Sequence, residues 1–340
     1  MDRELKNTLK HELTKSLTLR ELYSDIRPDL DEIEEKLKVF SQSTNPLIAE
    51  ISSYLFRKAG KRIRPALLVL CSRLLGYRGD EHILMSALVE TIHTASLIHD
   101  DIIDHSNVRR GIPTVHAKWG PNITVLLGDY LYIRTLNLSL QSKHKEIIEV
   151  LTEISAQMID GELYEYYVSG NFSLGEGDYL KILDKKTASL FAASCLIGGI
   201  LSESSDEAKS DLSEFGRSLG MSFQIVDDLL DYTSDEKTLG KPVLSDLAEG
   251  RVTLPLIYTL NNDGACNRKR LKKLLAMKNF EDGIREEILE IVKSNGALEY
   301  TFKKAENFSN KSKEIISQFP KSIYRDTLSL IPDFVLNRNR

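Results

Sequence analysis

"ILMSALVETIHTASLIHDDIID", Ile83 to Asp104, decides the class of fold. Its apolar residues recur at steps of three and four, the period of a helix with a buried side. The same period runs through Ile147–Tyr167 and Leu212–Leu230. Alternating β-branched runs are few and prolines number nine, so nearly the whole chain reads as helix. Breaks fall at clusters of turn residues: "STNP" (Ser43–Pro46), "GYRGD" (Gly76–Asp80), "NVRRGIP" (Asn107–Pro113), "VSGNFSLGEGD" (Val168–Asp178), "TSDEKTLGKPVLSDLAEG" (Thr233–Gly250) and "NNDGAC" (Asn261–Cys266). The loop around Lys241 is the longest and suits a mobile lid. None looks like an interdomain linker. The expectation is therefore all-α: one large helical bundle over residues 1–340. An N-terminal helical arm covers 1–41, the motif-bearing core about 42–290, and later helices break at Pro320 and Pro332.

Hydrophobic residues make up 41% and charged residues 28%, an ordinary soluble composition. The net charge of −5 gives no global attraction to nucleic acid or an anionic membrane. Cys71, Cys195 and Cys266 lie far apart without metal-type spacing, which suits a reduced, cytoplasmic protein. The charged opening "MDRELKNTLKHEL" is not a signal peptide. The most apolar run, "LFAASCLIGGIL" (Leu190–Leu201), is too short for an integral membrane segment and reads as a buried helix.

The quoted helix ends in charge. Asp100 and Asp104 are four apart and share a helical face, with Asp101 beside them. "VDDLLDY" repeats the pattern with Asp227, Asp228 and Asp231. Like charges roughly 5–6 Å apart repel by about 3 kcal/mol per pair at an effective dielectric of 20. The C-terminal end of a helix adds to that cost. A solvated acidic helix end would explain one cluster. Two clusters, each following an apolar segment, instead suggest carboxylates at a cavity edge. Hard oxygen ligands without clustered histidine or cysteine suit Mg²⁺ or Mn²⁺, and Mg²⁺ shares its ligands with phosphates.

Cations stand ready for such phosphates. "GKRIRP" places Lys61 and Arg64 near a helix start, with Pro65 read as its first residue. Arg109 and Arg110 follow the first cluster, far enough away to reach a phosphate rather than merely neutralise it. Lys186 and Thr187 open an apolar helix, with Lys185 facing solvent, and Lys241 sits in the lid. His93 lies two turns before Asp100, and Gln224 lies on the face of the second cluster. By themselves, His93 reads as a core histidine and Gln224 as a buried amide.

Together these elements resemble the trans-prenyl diphosphate synthases, over roughly Gly60 to Pro255: "GKxxRP", "DDxxD", "RR", "KT", "FQxxDDxxD", "GKP" and "EGRVTLPLI". The resemblance implies the isoprenoid synthase fold, a homodimer, and aspartate clusters facing across a central cavity. It implies that Asp100, Asp104 and Asp227, helped by Asp101, Asp228 and Asp231, bind three Mg²⁺ ions. Asp100, Asp104, Lys186 and Asp227 are then the catalytic set. Arg109, Lys186, Thr187, Gln224 and Lys241 would meet the allylic diphosphate. Lys61, Arg64, His93 and Arg110 would meet isopentenyl diphosphate. Metals and cations would stabilise the departing diphosphate, and apolar walls would keep water from the allylic cation.

The growing chain should run down the first-cluster helix. Ala95 and Ser96, one turn below Asp100, are small, and Val89 further down is of medium size. That favours a product of about seven to nine isoprene units, as in a quinone side chain, over a short-chain product. A class I terpene cyclase would have a different second motif and no use for "GKRIRP". A squalene-type synthase carries "DxxED" motifs. A non-catalytic subunit would lack intact clusters, although a catalytic chain could still need a small partner. A plain metal-binding scaffold leaves the basic residues unexplained. The terminal "RNR" is a candidate to reach over the diphosphate site.

Overall fold

The computed structural model describes residues 18–41, 43–56, 60–234, 243–262, 264–277 and 282–338. It is helical almost throughout. In chain order the helices are α1 (Leu19–Leu22), α2 (Arg27–Leu37), α3 (Pro46–Leu55), α4 (Ile63–Leu74) and α5 (Glu81–Ile103). A two-stranded hairpin follows, β1 (Val108–Arg109) and β2 (Ile112–Pro113), then α6 (Val115–Trp119), α7 (Pro121–Ser139) and α8 (Lys145–Tyr167). The remainder comprises α9 (Glu176–Leu183), a π turn (Asp184–Ala188), α10 (Ser189–Leu201), α11 (Asp206–Thr233), α12 (Ser245–Ala248), α13 (Leu254–Asn262), α14 (Ala265–Leu275), α15 (Asp282–Ser294), α16 (Ala297–Ser317) and α17 (Ile323–Asn337).

Caps fix where several helices begin. The Asn45 side chain accepts from Leu47 N ahead of Pro46, Thr114 caps α6, and Ser205 caps α11. The apolar run read as a buried helix is α10, whose side chains are nearly all below 3% exposed. It lies against α4, α5, α8 and α11, so both long aspartate-bearing helices flank it. Glycines allow the closest of these approaches. A Cβ on Gly216 would stand 2.5 Å from the Phe191 carbonyl oxygen, and one on Gly198 would stand 2.9 Å from the Leu68 carbonyl oxygen.

Three expectations need correction. "NVRRGIP" is a hairpin rather than a loop, and Arg110 and Gly111 both have positive φ at its two-residue tip. Pro332 does not break its helix, since α17 runs through it with Ile331 and Val335 fully buried. Packing of α17 on α4, α11 and α16 outweighs the hydrogen bond that the missing N–H forfeits. Helix α4 starts at Ile63, so Pro65 is its third residue, still among the first four positions whose N–H has no intrahelical acceptor.

Candidate active site

Helices α5 and α11 end at the two clusters, with Asp104 as the C-cap of α5 and Thr233 closing α11. Asp100 and Asp227 line one cavity of about 760 Å³. The same cavity is bordered by Lys61, Arg64, His93, Arg109, Arg110, Lys186, Thr187 and Gln224. Residues from five separate segments are thus brought to one space. Lys241 lies outside the described residues.

The carboxylates are in unequal states. Burial pushes Asp100 up to about 7; Lys186 opposes the rise, while Glu162 and Asp104 reinforce it. Asp101 is 3% exposed and accepts from Arg109 Nε at 2.7 Å. One of the two arginines is therefore a salt-bridge partner of the cluster, because the hairpin folds it back. Asp104 faces Arg251 Nη1 at 3.5 Å, and that guanidinium also reaches Asp246 and Glu249. Asp227 pairs with Arg338, which stacks 4.0 Å over the Phe223 ring. The terminal basic stretch does reach the site, through Arg338.

Behind Asp227 the second cluster turns inward. Asp228 accepts from Tyr179 Oη at 2.7 Å and Gln224 Nε2 at 2.9 Å, and Gln224 Oε1 accepts from Thr187 Oγ1 at 3.0 Å. Burial, then Asp246, pushes Asp228 up to about 7. Asp231 accepts from Ser245 Oγ at 2.8 Å and Asp246 N at 3.1 Å, which ties α12 to α11. Both were expected to help hold metal. The hydrogen bonds they accept also hold Gln224 and α12 in place.

Lys186 owes its direction to the π turn. The extra residue turns Lys185 to Asp160 on the outside and Lys186 inward, 2.6 Å from both Glu162 Oε2 and Glu165 Oε2. A Cβ on Gly161 would lie 2.9 Å from Lys186 N, so this close passage of α8 needs glycine. Burial works against the Lys186 charge, but Glu165, Glu162 and Asp100 raise its pKa overall.

On the opposite wall the cations are crowded. Arg64 sits 4.5 Å over the Phe191 ring, and burial lowers it to about 10. Lys61 is lowered by burial, then by Arg338 and Arg110. His93 is held well below its ordinary value by burial, then by Arg64 and Arg110. An anion would relieve all three. Ser96 lines the cavity, whereas Ala95 and Val89 are fully buried in an apolar cluster with Leu68, Leu190 and Ile197. The wall is completed by residues not singled out from sequence: Tyr132, Met158, Ile159, Glu162, Leu163 and Phe223. Among the described residues no three carboxylate, imidazole or thiol groups converge to hold a metal by themselves.

The family model for polyprenyl synthetase matches residues 45–292. This chain belongs to the polyprenyl synthetase family. It is 31% identical to octaprenyl diphosphate synthase of Haemophilus influenzae, over 95% of this chain and 98% of that protein. It is 34% identical to heptaprenyl diphosphate synthase component 2 of Bacillus subtilis, over 93% and 90%. A polyprenyl synthase from Caulobacter crescentus, crystallised with calcium and isoprenyl diphosphate, superposes with a TM-score of 0.90 at 30% identity, covering 95% of this chain and 98% of that one. The isoprenoid synthase fold and prenyltransferase activity are thereby established. Relatives of similar identity are named for products from geranylgeranyl to octaprenyl diphosphate.

Proposed function

We propose that this synthase condenses isopentenyl diphosphate with an allylic diphosphate, such as farnesyl diphosphate, to a product of about seven to nine isoprene units destined for a quinone. The observation that carries the reading is one cavity with Asp100 and Asp227 at its acidic side and Lys61, Arg64, His93 and Arg110 at its basic side. Two diphosphates with opposite needs, one metal-clamped and leaving, one held and retained, fit those two sides.

The donor set fits Mg²⁺. Carboxylate oxygens without soft ligands, held too far apart to enclose an ion alone, suit a metal that completes its octahedron with water and substrate phosphate. Asp100, Asp104 and Asp227 would hold three such ions, and Mn²⁺ could substitute. When bound, the ions supply charge stabilisation for the departing diphosphate. Lys186, Arg109, Gln224 and Lys241 bind and orient the allylic diphosphate. Its C–O bond breaks with the electron pair going to diphosphate. The double bond of isopentenyl diphosphate, placed by Lys61, Arg64, His93 and Arg110, attacks the allylic carbon. The proton then lost passes to the released diphosphate. Met158 and Phe223 keep water from the cation.

Leu126 and Ile133 on α7, with Leu140 just past its end, recur seven apart and are 66–69% exposed, and Ile159, Leu163 and Tyr166 are 50–71% exposed on α8. That apolar surface supports a homodimer. Among the described residues no helix is long and apolar enough to cross a membrane. Buried free thiols at Cys71 and Cys195 support a reducing, cytoplasmic setting. Incubating the purified chain with Mg²⁺, isopentenyl diphosphate and farnesyl diphosphate, then separating products by length, tests the reading. A ladder ending near seven to nine units supports it, and a ladder ending at four overturns the chain length. A cyclic hydrocarbon overturns the condensation, and no turnover overturns the reading that this chain acts without a further subunit. Light scattering of the same sample reports the dimer.

A further inference from the structure

Arg62 is the third residue of "GKRIRP" and has been given no role so far. It stands between Lys61 and Arg64 in a left-handed conformation, φ 50° and ψ 34°, which a side-chain-bearing residue adopts at a cost. Something must hold it there. Its guanidinium, 9% exposed, donates from Nε to Glu34 Oε1 at 2.5 Å and from Nη2 to Glu34 Oε2 at 3.0 Å. Nη1 donates to Glu90 Oε1 at 2.5 Å. Glu34 belongs to α2, in the N-terminal arm, and Glu90 belongs to α5, one turn before His93. A bidentate fork on one side and a buried carboxylate on the other fix both the position and the rotation of Arg62.

The consequence reaches the cavity. Lys61 and Arg64 flank the anchored residue, so their backbones inherit its placement. Glu90 also lies against the cations around it, offsetting the repulsion among Arg62, Arg64 and Arg110. Arg110 packs on the same loop: a Cβ on Gly60 would stand 3.0 Å from Arg110 Nη1. On the allylic side, Lys186 and Gln224 lie on other elements and Asp100 lies ten residues further along α5, and the hydrogen bonds of Arg62 go to Glu34 and Glu90 rather than to any of them.

We propose that Glu34 and Glu90 are positioning residues which, through Arg62, set the geometry of the basic wall, so that the N-terminal arm governs affinity for the retained diphosphate. This rests on the assignment of Lys61, Arg64, His93 and Arg110 to isopentenyl diphosphate. The test uses full-length Glu34→Gln and Arg62→Lys. The first removes the charge of the fork from a side chain 30% exposed; the second keeps the cation but loses the planar fork. Both should raise KM for isopentenyl diphosphate about tenfold while KM for the allylic substrate stays within twofold. Calorimetry with inorganic pyrophosphate in chelator should show the same tenfold weakening, and it does not depend on turnover. Unchanged KM values with unchanged pyrophosphate affinity, or an equal rise for both substrates, would overturn the positioning role. Absence of product from the unmutated chain would instead overturn the reading that it acts without a further subunit, and the pyrophosphate titration would still decide the role of Glu34.

Discussion

The metal-free protein should lose stability as pH rises from 5 to 8. Asp100 and Asp228 are each held near 7 against an ordinary 3.8, by burial first. A carboxyl whose folded pKa exceeds its unfolded value binds more protons when folded. Its stabilisation is full below the unfolded value and is lost as pH rises through the folded one. Between pH 5 and pH 8 that loss is about 2.5 kcal/mol for each group. His93 works the other way. Burial and the neighbouring arginines hold it well below its ordinary value when folded, so it offsets part of that loss as pH rises through 6.5. The two carboxyls alone set an upper bound of about 5 kcal/mol, which for a chain of 340 residues lowers the melting temperature by up to about 7 °C. Scanning calorimetry in chelator at pH 5, 6, 7 and 8 measures it. Asp228→Asn should remove about 2.5 kcal/mol of the fall, and His93→Gln should steepen it. A wild-type melting temperature that holds level or rises across this range refutes the reasoning. So does a His93→Gln profile no steeper than wild type.

Three further outcomes are expected. Ser96→Phe, at the cavity wall, should shorten the product by one or more units on chromatography, whereas Ala95→Phe, in the core, should lower the melting temperature. Lys186→Met leaves Glu162 and Glu165 facing each other without their cation. It should cost about 3–5 kcal/mol of stability in chemical denaturation and reduce kcat at least a hundredfold. A Cβ on Gly128 would stand 2.0 Å from His99 Nε2, so Gly128→Ala must displace that ring, which borders the cavity. A destabilisation of about 1–3 kcal/mol and a shift in product length should follow, read by melting and by chromatography.

The aspartate clusters were legible because their cost is local: repulsion at the end of an apolar helix can be reckoned from four residues. Helix class followed from period alone. The partners that give each charge its state were not legible. Arg251 meets Asp104 across 147 positions, and Arg338 meets Asp227 across 111. Nothing in either neighbourhood announces the other. Ala95 and Ser96 are adjacent, and a periodicity centred on Asp100 does not say which of them opens on the cavity. Only the packing of α2, α4, α7 and α10 around α5 settles it. The left-handed backbone at Arg62 was equally hidden, since no glycine or asparagine marks it. Pro332 shows the reverse failure, a strong local signal overridden by burial of the turns on either side.

The π turn at Asp184–Ala188 acts as an expansion joint within one rod. Upstream of it, Tyr179 keeps step with Asp228; downstream, Phe191 keeps step with the core under Arg64. The widened turn takes up one surplus residue while both flanks hold their registers. Deleting one residue there would let the segment rewind as regular α-helix with both flanks still in step, so Tyr179 would keep its face while the widened turn that aims Lys186 inward would be lost. The lysine's place in the site is thus a property of chain length as much as of composition.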